Sequence, residues 1–223
     1  MGLVKKLGVL LVAPALFVGV QFAYNQYMLT SLTYTLDPIS PDDYVFDSEL
    51  YRTLFNHTKW AHVDSFAVGV TVPLASLPPQ FRGDEEAFGE EVMTQLWDQR
   101  LVTQFSRQPT GTMPKMGDAS VSEALAVQVV STGPKDMSIA LVSRPRKNQL
   151  PMGFEHVMAS FDREHGMAIA MIRYIWHART DTPPSWRKSL ARWSQINGRR
   201  QWLLRAANAI ADKGKDEPVK LEL

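Results

Sequence analysis

The 223-residue chain contains no cysteine. Disulfide bonds, thiolate metal ligands and cysteine nucleophiles are therefore all excluded. Acidic and basic residues nearly balance, and the formal net charge is +1. Because the chain lacks the basic surplus that is typical of nucleic-acid-binding proteins, we predict no nucleic-acid partner.

Sequence motifs for metals and cofactors are also missing. The five histidines do not have the spacing of a metal-binding set such as His-Glu-x-x-His. The sequence has no phosphate-binding loop and no dinucleotide-binding fingerprint. We therefore predict no metal and no cofactor, and the sequence gives no prediction of the oligomeric state.

One long apolar run is present, at residues 7–24, directly after Lys5 and Lys6. It contains no charged residue, and as a helix it would span about 27 Å, close to the thickness of a hydrocarbon core. We predict a transmembrane anchor rather than a cleaved signal peptide, because the cleavage positions after Ala15 and Ala23 have unsuitable neighbours. Since the nearby basic residues precede the run, we expect the rest of the chain on the extracytosolic side.

Two short motifs agree with that orientation. Asn56-His57-Thr58 is an N-glycosylation sequence, so Asn56 is a predicted glycosylation site. Residues 220–223 resemble a retrieval signal of the endoplasmic reticulum. In a eukaryotic cell we therefore expect a single-pass membrane protein of the endoplasmic reticulum or the secretory pathway.

The remaining chain divides into a linker, a domain and a tail. Residues 36–43 contain two prolines and several acidic residues, which disfavour helix and strand, and we predict a linker there. Residues 44–211 are numerous enough for a single domain with its own core. Residues 212–223 are rich in charge and are predicted to form a flexible tail.

Hydrophobic periodicity predicts an α+β domain. The predicted helices are at residues 48–57, 85–105 and 185–211, the last one interrupted at Asn197-Gly198. The predicted strands are at residues 66–74, 121–131, 137–144, 153–161 and 167–178. Together they predict a curved antiparallel sheet of about five strands, packed on a long C-terminal helix and preceded by the membrane anchor.

The order of elements from Val121 through the last helix, which contains several arginines and tryptophans, resembles that of START-like, helix-grip proteins of the SRPBCC type. This resemblance implies a sheet wrapped around the C-terminal helix, with an apolar cavity for a lipophilic small molecule between them. A hotdog-like arrangement, in which the sheet wraps the helix at residues 85–105, is the alternative that the element order leaves open.

Polar residues are concentrated among apolar ones in the last two predicted strands. With a five-residue loop at 162–166, Glu155 faces Arg173 and shares its side of the sheet with His177, while His156 and Tyr174 share the other side. There are two candidate catalytic acid–base sets: His156 with Tyr174, or Glu155 with Arg173 and His177. The structural alternative is a cross-strand ion pair between Glu155 and Arg173 beside a half-buried His156.

The predicted last helix has an unusual charge. Residues 185–208 contain six basic residues and no acidic one, with three tryptophans among them. Such a segment binds an anionic membrane surface or an acidic partner, or else packs on the sheet as an ordinary amphipathic helix with solvated arginines. The predicted membrane contacts are therefore residues 7–24 and, in the first interpretation, residues 185–208.

Three functions are compatible with these features, and the sequence leaves open whether the protein is an enzyme. The first is a membrane-anchored cyclase, isomerase or hydrolase that acts on a lipophilic small molecule. The second is a non-catalytic lipid- or hydrophobic-ligand-binding protein, and the third is an accessory subunit of a membrane complex. An apolar cavity with convergent polar side chains would favour the first, a purely apolar cavity the second, and a filled core with an exposed apolar patch the third.

Overall fold

The computed structural model describes residues 20–21, 23–55, 62–123, 125–143, 153–178 and 186–214. Within them, seven antiparallel strands form one sheet with the order β1-β2-β7-β6-β5-β4-β3. The strands are β1 (Tyr34–Leu36), β2 (His62–Pro73), β3 (Ala119–Val121), β4 (Leu125–Thr132), β5 (Asp136–Ser143), β6 (Gly153–Asp162) and β7 (Met167–Ala178). The first long strand, β2, therefore pairs with the last strand, β7.

Helices cover both faces of this sheet. Residues 23–32 are also helical and precede the sheet. The helices that cover the sheet are α1 (Tyr44–Asp47), α2 (Glu49–Phe55), α3 (Pro79–Arg82), α4 (Glu85–Phe105) and α5 (Trp186–Asp212). The long helices α4 and α5 pack against each other and against one face, which we call the inner face. Helices α1 and α2 pack on the opposite face, which we call the outer face.

Strand β2 shows why the sheet has two apolar faces. Phe66, Val68 and Val70 belong to the large core between the sheet and α4 and α5, whereas Ala67 belongs to the smaller core under α1 and α2. Because both faces are covered there, residues 66–70 of the strand form a continuous apolar run instead of alternating between apolar and polar residues.

The predicted number of strands is wrong, because the sheet has seven strands rather than five. Strands β1 and β3, which pair with β2 and β4, have only three residues each, too few for an alternating pattern to be visible in the sequence. The C-terminal helix is also continuous through Asn197 and Gly198, where an interruption was predicted.

The predicted membrane anchor is contradicted. Within the described parts of the chain, no helix combines the length and the apolar composition that crossing a bilayer requires. Residues 7–19 and Phe22 of the predicted span lie outside the described residues, as does the predicted glycosylation site Asn56. This finding corrects the predictions of a single-pass membrane protein and of a secretory-pathway location, both of which depended on that span.

The predicted linker at residues 36–43 contacts the folded part of the chain. Ile39 is buried in the core on the outer face, and Asp43 caps α1 by accepting a hydrogen bond from the backbone N–H of Val45. The division into a linker, a domain at 44–211 and a tail at 212–223 stays a prediction.

Candidate functional site

The turn between β6 and β7 determines which of the predicted site residues meet. It contains four residues rather than five, so that Glu155 lies opposite Tyr174 and His156 lies opposite Arg173. The predicted pairs Glu155–Arg173 and His156–Tyr174 are therefore wrong, because a register shift of one residue moves the partners to opposite faces. Glu155 and Tyr174 lie on the inner face, and His156, Arg173 and His177 lie on the outer face.

On the inner face, Glu155 pairs with two arginines from different helices. Its Oε1 contacts Arg100 of α4, and its Oε2 accepts a hydrogen bond from the Nη2 of Arg199 of α5 at 2.8 Å. All three residues are buried, with exposed fractions of 1% for Glu155, 2% for Arg100 and 4% for Arg199. The cluster joins the two long helices to the centre of the sheet.

Aromatic rings surround this inner cluster. The guanidinium carbon of Arg199 lies 4.2 Å from the ring centroid of Tyr174, and that of Arg100 lies 5.0 Å from the centroid of Trp202. Both distances are those of cation–π contacts. Burial lowers the pKa of Arg100, and the charge of Glu155 opposes that shift. The aromatic rings replace part of the hydration that the two cations lose.

On the outer face, His156 and Arg173 converge on Tyr44 from α1. The Nδ1 of His156 lies 3.3 Å from the Tyr44 hydroxyl, which also accepts a hydrogen bond from the Nη1 of Arg173 at 3.2 Å. The Nε of Arg173 donates to the Oδ2 of Asp43 at 3.1 Å, and the Nε2 of His156 lies 3.6 Å from the Oδ2 of Asp136. These five residues form the outer polar cluster.

The electrostatics of the outer polar cluster keep Tyr44 protonated. Burial raises the pKa of Tyr44, although Arg173 opposes the shift. The contact with His156 lowers the pKa of Asp136. A protonated Tyr44 can donate to His156 while it accepts from Arg173, so the phenol links the imidazole and the guanidinium.

His177 lies in a separate aromatic group on the outer face. Its ring stacks on Phe55 with 4.2 Å between centroids, and its Nε2 lies 3.1 Å from the hydroxyl of Tyr51. Burial lowers the pKa of His177 to about 4 and raises that of Tyr51 to about 12. Both side chains are therefore neutral at pH 7.

The inner face also contains a cavity between the sheet and the two long helices. Its volume is about 10 Å³, which is room for about one water molecule. Every side chain that lines it is apolar: Val70, Val72, Leu77, Phe88, Val92, Ala168, Ala170, Leu203, Ala206, Ala207 and Ile210. None of the predicted catalytic residues lies among them.

A more open groove of about 550 Å³ lies on the surface between α4, α5 and the loop after α4. The carboxylate of Asp98 in its wall accepts hydrogen bonds from the backbone N–H groups of Thr110 and Gly111 and from the hydroxyl of Thr110. Because these contacts satisfy both carboxylate oxygens within the protein, we assign Asp98 a structural role in holding the loop against α4.

Several residues of these clusters were not predicted from the sequence. Arg199 belongs to the helix whose arginines were expected to bind a membrane surface or an acidic partner or to face solvent, and no role was predicted for Arg100. Asp43 and Tyr44 lie at the boundary of the predicted linker. One signal was available in the sequence. A glutamate whose place in the alternation of a buried strand points it toward the core requires a buried cation as a partner. The sequence could not identify which cation, because both arginines are distant along the chain.

Three arginines of the basic helix bind within the protein. Arg192 contacts Asp37 and Asp64, Arg199 pairs with Glu155, and the Nη2 of Arg200 donates to the hydroxyl of Thr35 at 2.8 Å. These contacts oppose the interpretation in which residues 185–208 lie on a membrane surface. Among the described residues, no group of three histidine, aspartate or glutamate side chains is placed to hold a metal ion.

Comparison with known proteins finds likeness in structure alone. No family model matches the chain, and no curated protein matches it. Ara h 8.0201 matches at a TM-score of 0.39 and 11% identity, over 64% of this chain and 95% of its own. The Mll3558 protein from Rhizobium loti matches at 0.36 and 13%, over 66% of this chain and 96% of its own. CalU16 from Micromonospora echinospora matches at 0.33 and 10%, over 69% of this chain and 90% of its own. At these TM-scores and identities the neighbours establish neither a fold family nor a function.

Proposed function

We propose that this protein binds an apolar small molecule between the inner face of its sheet and helices α4 and α5, without catalysing a reaction there. The observation that supports this function is a cavity whose lining is apolar on every side; its volume is about 10 Å³, so the proposal requires the cavity to expand around a ligand. Ligand sites for lipophilic molecules are concave and mostly apolar, and they usually lie between packed layers of a fold.

The small size of the facing side chains favours this location. Ala168 and Ala170 of β7 and Ala206 and Ala207 of α5 all line the cavity. Alanines on both sides bury less apolar area than leucines would. The stabilisation from burial is smaller by about 0.8 kcal/mol for each missing methylene group. Separating α5 from β7 therefore costs less than it would if leucines stood at these four positions.

The end of α5 is also held by a contact that is weak enough to break. The Nζ of Lys213, just after α5, lies 2.6 Å from the Oε2 of Glu91 on α4. Ion pairs near the surface stabilise proteins by about 0–1 kcal/mol. A ligand that buries its own apolar surface can offset this loss, so we expect the cavity to expand when such a ligand enters.

The positions of the polar residues favour binding over catalysis. His156, Arg173 and His177 lie on the outer face, with the sheet between them and the cavity. Glu155 and Tyr174 lie on the inner face, but Glu155 is paired with two arginines. An acid–base role for His156 and Arg173 at the outer polar cluster stays a prediction.

Fluorescence of N-phenylnaphthylamine, a neutral apolar probe, tests this proposal. We expect a saturable rise in fluorescence with the natural sequence. The substitutions Ala206→Phe and Ala170→Leu fill the cavity from its two sides and should each weaken probe binding by at least about tenfold, which corresponds to about 1.4 kcal/mol.

Ala211→Phe is the matched control, because Ala211 lies on the same helix and is exposed. It should bind the probe like the natural sequence. Circular dichroism checks that each variant is folded, since overpacking costs about 1–3 kcal/mol. Unchanged probe affinity in both folded cavity variants, or no saturable binding by the natural sequence, would contradict the proposal.

A further inference from the structure

We propose that the ligand of this cavity is an amphiphile with a negatively charged head group, and that Arg199 and Arg100 bind that group. This inference rests on the proposed function and specifies the chemical class of its ligand. The evidence is the charge of the inner cluster and its position along the same face as the cavity.

The inner cluster contains two cations for one anion. Glu155 is the only carboxylate in the described residues that pairs with either Arg100 or Arg199. Removing an unpaired cation from water is costly, and buried ion clusters are stable only when charges and hydrogen bonds are well matched. A second anion would balance the charge of the cluster.

Arg199 also retains an unused hydrogen-bond donor. Its Nη2 donates to Glu155 and its Nη1 to Gln195, whereas its buried Nε has no hydrogen-bond partner. A guanidinium group offers its donors in a planar fork that fits a carboxylate, so Nε is available to a second carboxylate.

The arginines and the cavity lie along one line of the inner face. On α5, Arg199 precedes the cavity residue Leu203 by four positions, a rise of about 6 Å. On β7, Tyr174, which contacts Arg199, is separated from the cavity residue Ala170 by four positions, or about 13 Å. The arginines do not line the cavity itself, so an alkyl chain reaches them only when the cavity expands along the face toward Arg199.

Three probes with the same alkyl chain test the head group. Dodecanoic acid, dodecanol and dodecylamine are measured by displacement of N-phenylnaphthylamine at low ionic strength and pH 8. We expect the acid to bind about tenfold to a hundredfold more tightly than the alcohol, as charge-assisted hydrogen bonds predict, and the amine to bind most weakly. Equal affinities for acid and alcohol would overturn the inference and leave the proposed function intact. If none of the three probes binds, the proposed function itself fails.

The substitution Arg199→Met then assigns the preference to the inner cluster. It leaves Glu155 paired with Arg100 alone, so the cluster becomes neutral. We expect the acid to lose its advantage while the affinity for the alcohol stays within about twofold. Arg205→Met, at an exposed position of the same helix, is the control and should keep the preference. A folded Arg199→Met variant that still prefers the acid would contradict the assignment, and the probe comparison in the natural sequence remains decisive if this variant does not fold.

Discussion

His177 shows how burial alone can determine the charge of a residue. Its ring is 2% exposed and stacks on Phe55, and burial lowers its pKa from 6.5 to about 4. The folded protein therefore holds His177 in the neutral form at every pH above about 4, whereas the unfolded chain binds a proton below about 6.5. Folding becomes linked to pH at this one position.

We predict that the free energy of unfolding decreases as the pH falls from about 6.5 to about 4. The unfolded state binds more protons in that window, so His177 contributes a slope of up to about 1.4 kcal/mol per pH unit. Urea denaturation at several pH values between 7 and 4.5 measures it. His177→Phe keeps an aromatic ring beside Phe55 but does not titrate, so its slope should be shallower. An identical slope in both proteins would contradict the assignment to His177.

The predicted site residues illustrate what sequence can establish at this scale. Glu155, His156, Arg173 and His177 stand out as polar residues within apolar strands, and all four are buried. Their cross-strand partners could not be predicted, because the β6–β7 turn contains four residues instead of the predicted five. A register shift of one residue moves the predicted partners to opposite faces of the sheet. The acidic partner of Arg173 is Asp43, which is distant along the chain.

At the scale of elements, a glycine in α4 and a glycine in α5 differ in how closely other atoms approach the helix. A Cβ atom on Gly89 of α4 would overlap the carbonyl oxygen of Pro134, in the turn between β4 and β5. A Cβ atom on Gly198 of α5 would meet no atom of the described structure within 4 Å. Only Gly89 must be glycine, because the backbone of the β4–β5 turn leaves no room for a Cβ atom there.

Gly89→Ala and Gly198→Ala should therefore have opposite effects on stability. Alanine favours a helix over glycine by about 1 kcal/mol, so Gly198→Ala should stabilise the protein by about 0.5–1 kcal/mol. At Gly89 the overlap with backbone outweighs this gain, and we expect a net loss of about 1–2 kcal/mol. Chemical denaturation of the two variants measures both changes. Stabilisation by Gly89→Ala would show that α4 is free to move away from the turn.

Periodic elements could be predicted from the sequence, and the three-residue strands could not. The predicted helix at 85–105 and the predicted strand at 167–178 have the same bounds as α4 and β7. The three-residue strands β1 and β3 were missed because pairing with a neighbouring strand, rather than local pattern, holds them in the sheet. Helix α5 continues through Asn197-Gly198 because packing on the sheet outweighs the low helix propensity of these residues.

At the scale of the whole molecule, α5 is attached to the sheet unevenly. Arg192, Arg199 and Arg200 bind side chains of the sheet or of the segments beside it. Beyond them, the helix contacts the cavity through Leu203, Ala206, Ala207 and Ile210, and Lys213 pairs with Glu91 of α4. Because charged contacts are concentrated in the first half of the helix, we expect local opening to begin in the second half.

Amide hydrogen exchange can detect this opening and its suppression by a ligand. We predict faster exchange at residues 206–211 than at residues 195–202 in the protein alone. Exchange requires the helix itself to unwind, and the ligand binds only while the helix is intact. Dodecanol at about ten times its Kd should therefore slow exchange at residues 206–211 about tenfold, by the factor 1 + [L]/Kd. The cavity variant Ala206→Phe should show no such slowing, while Ala211→Phe should respond like the natural sequence. Uniform exchange along α5, or slowing that is equal in both variants, would contradict an opening at the cavity and favour a rigid core.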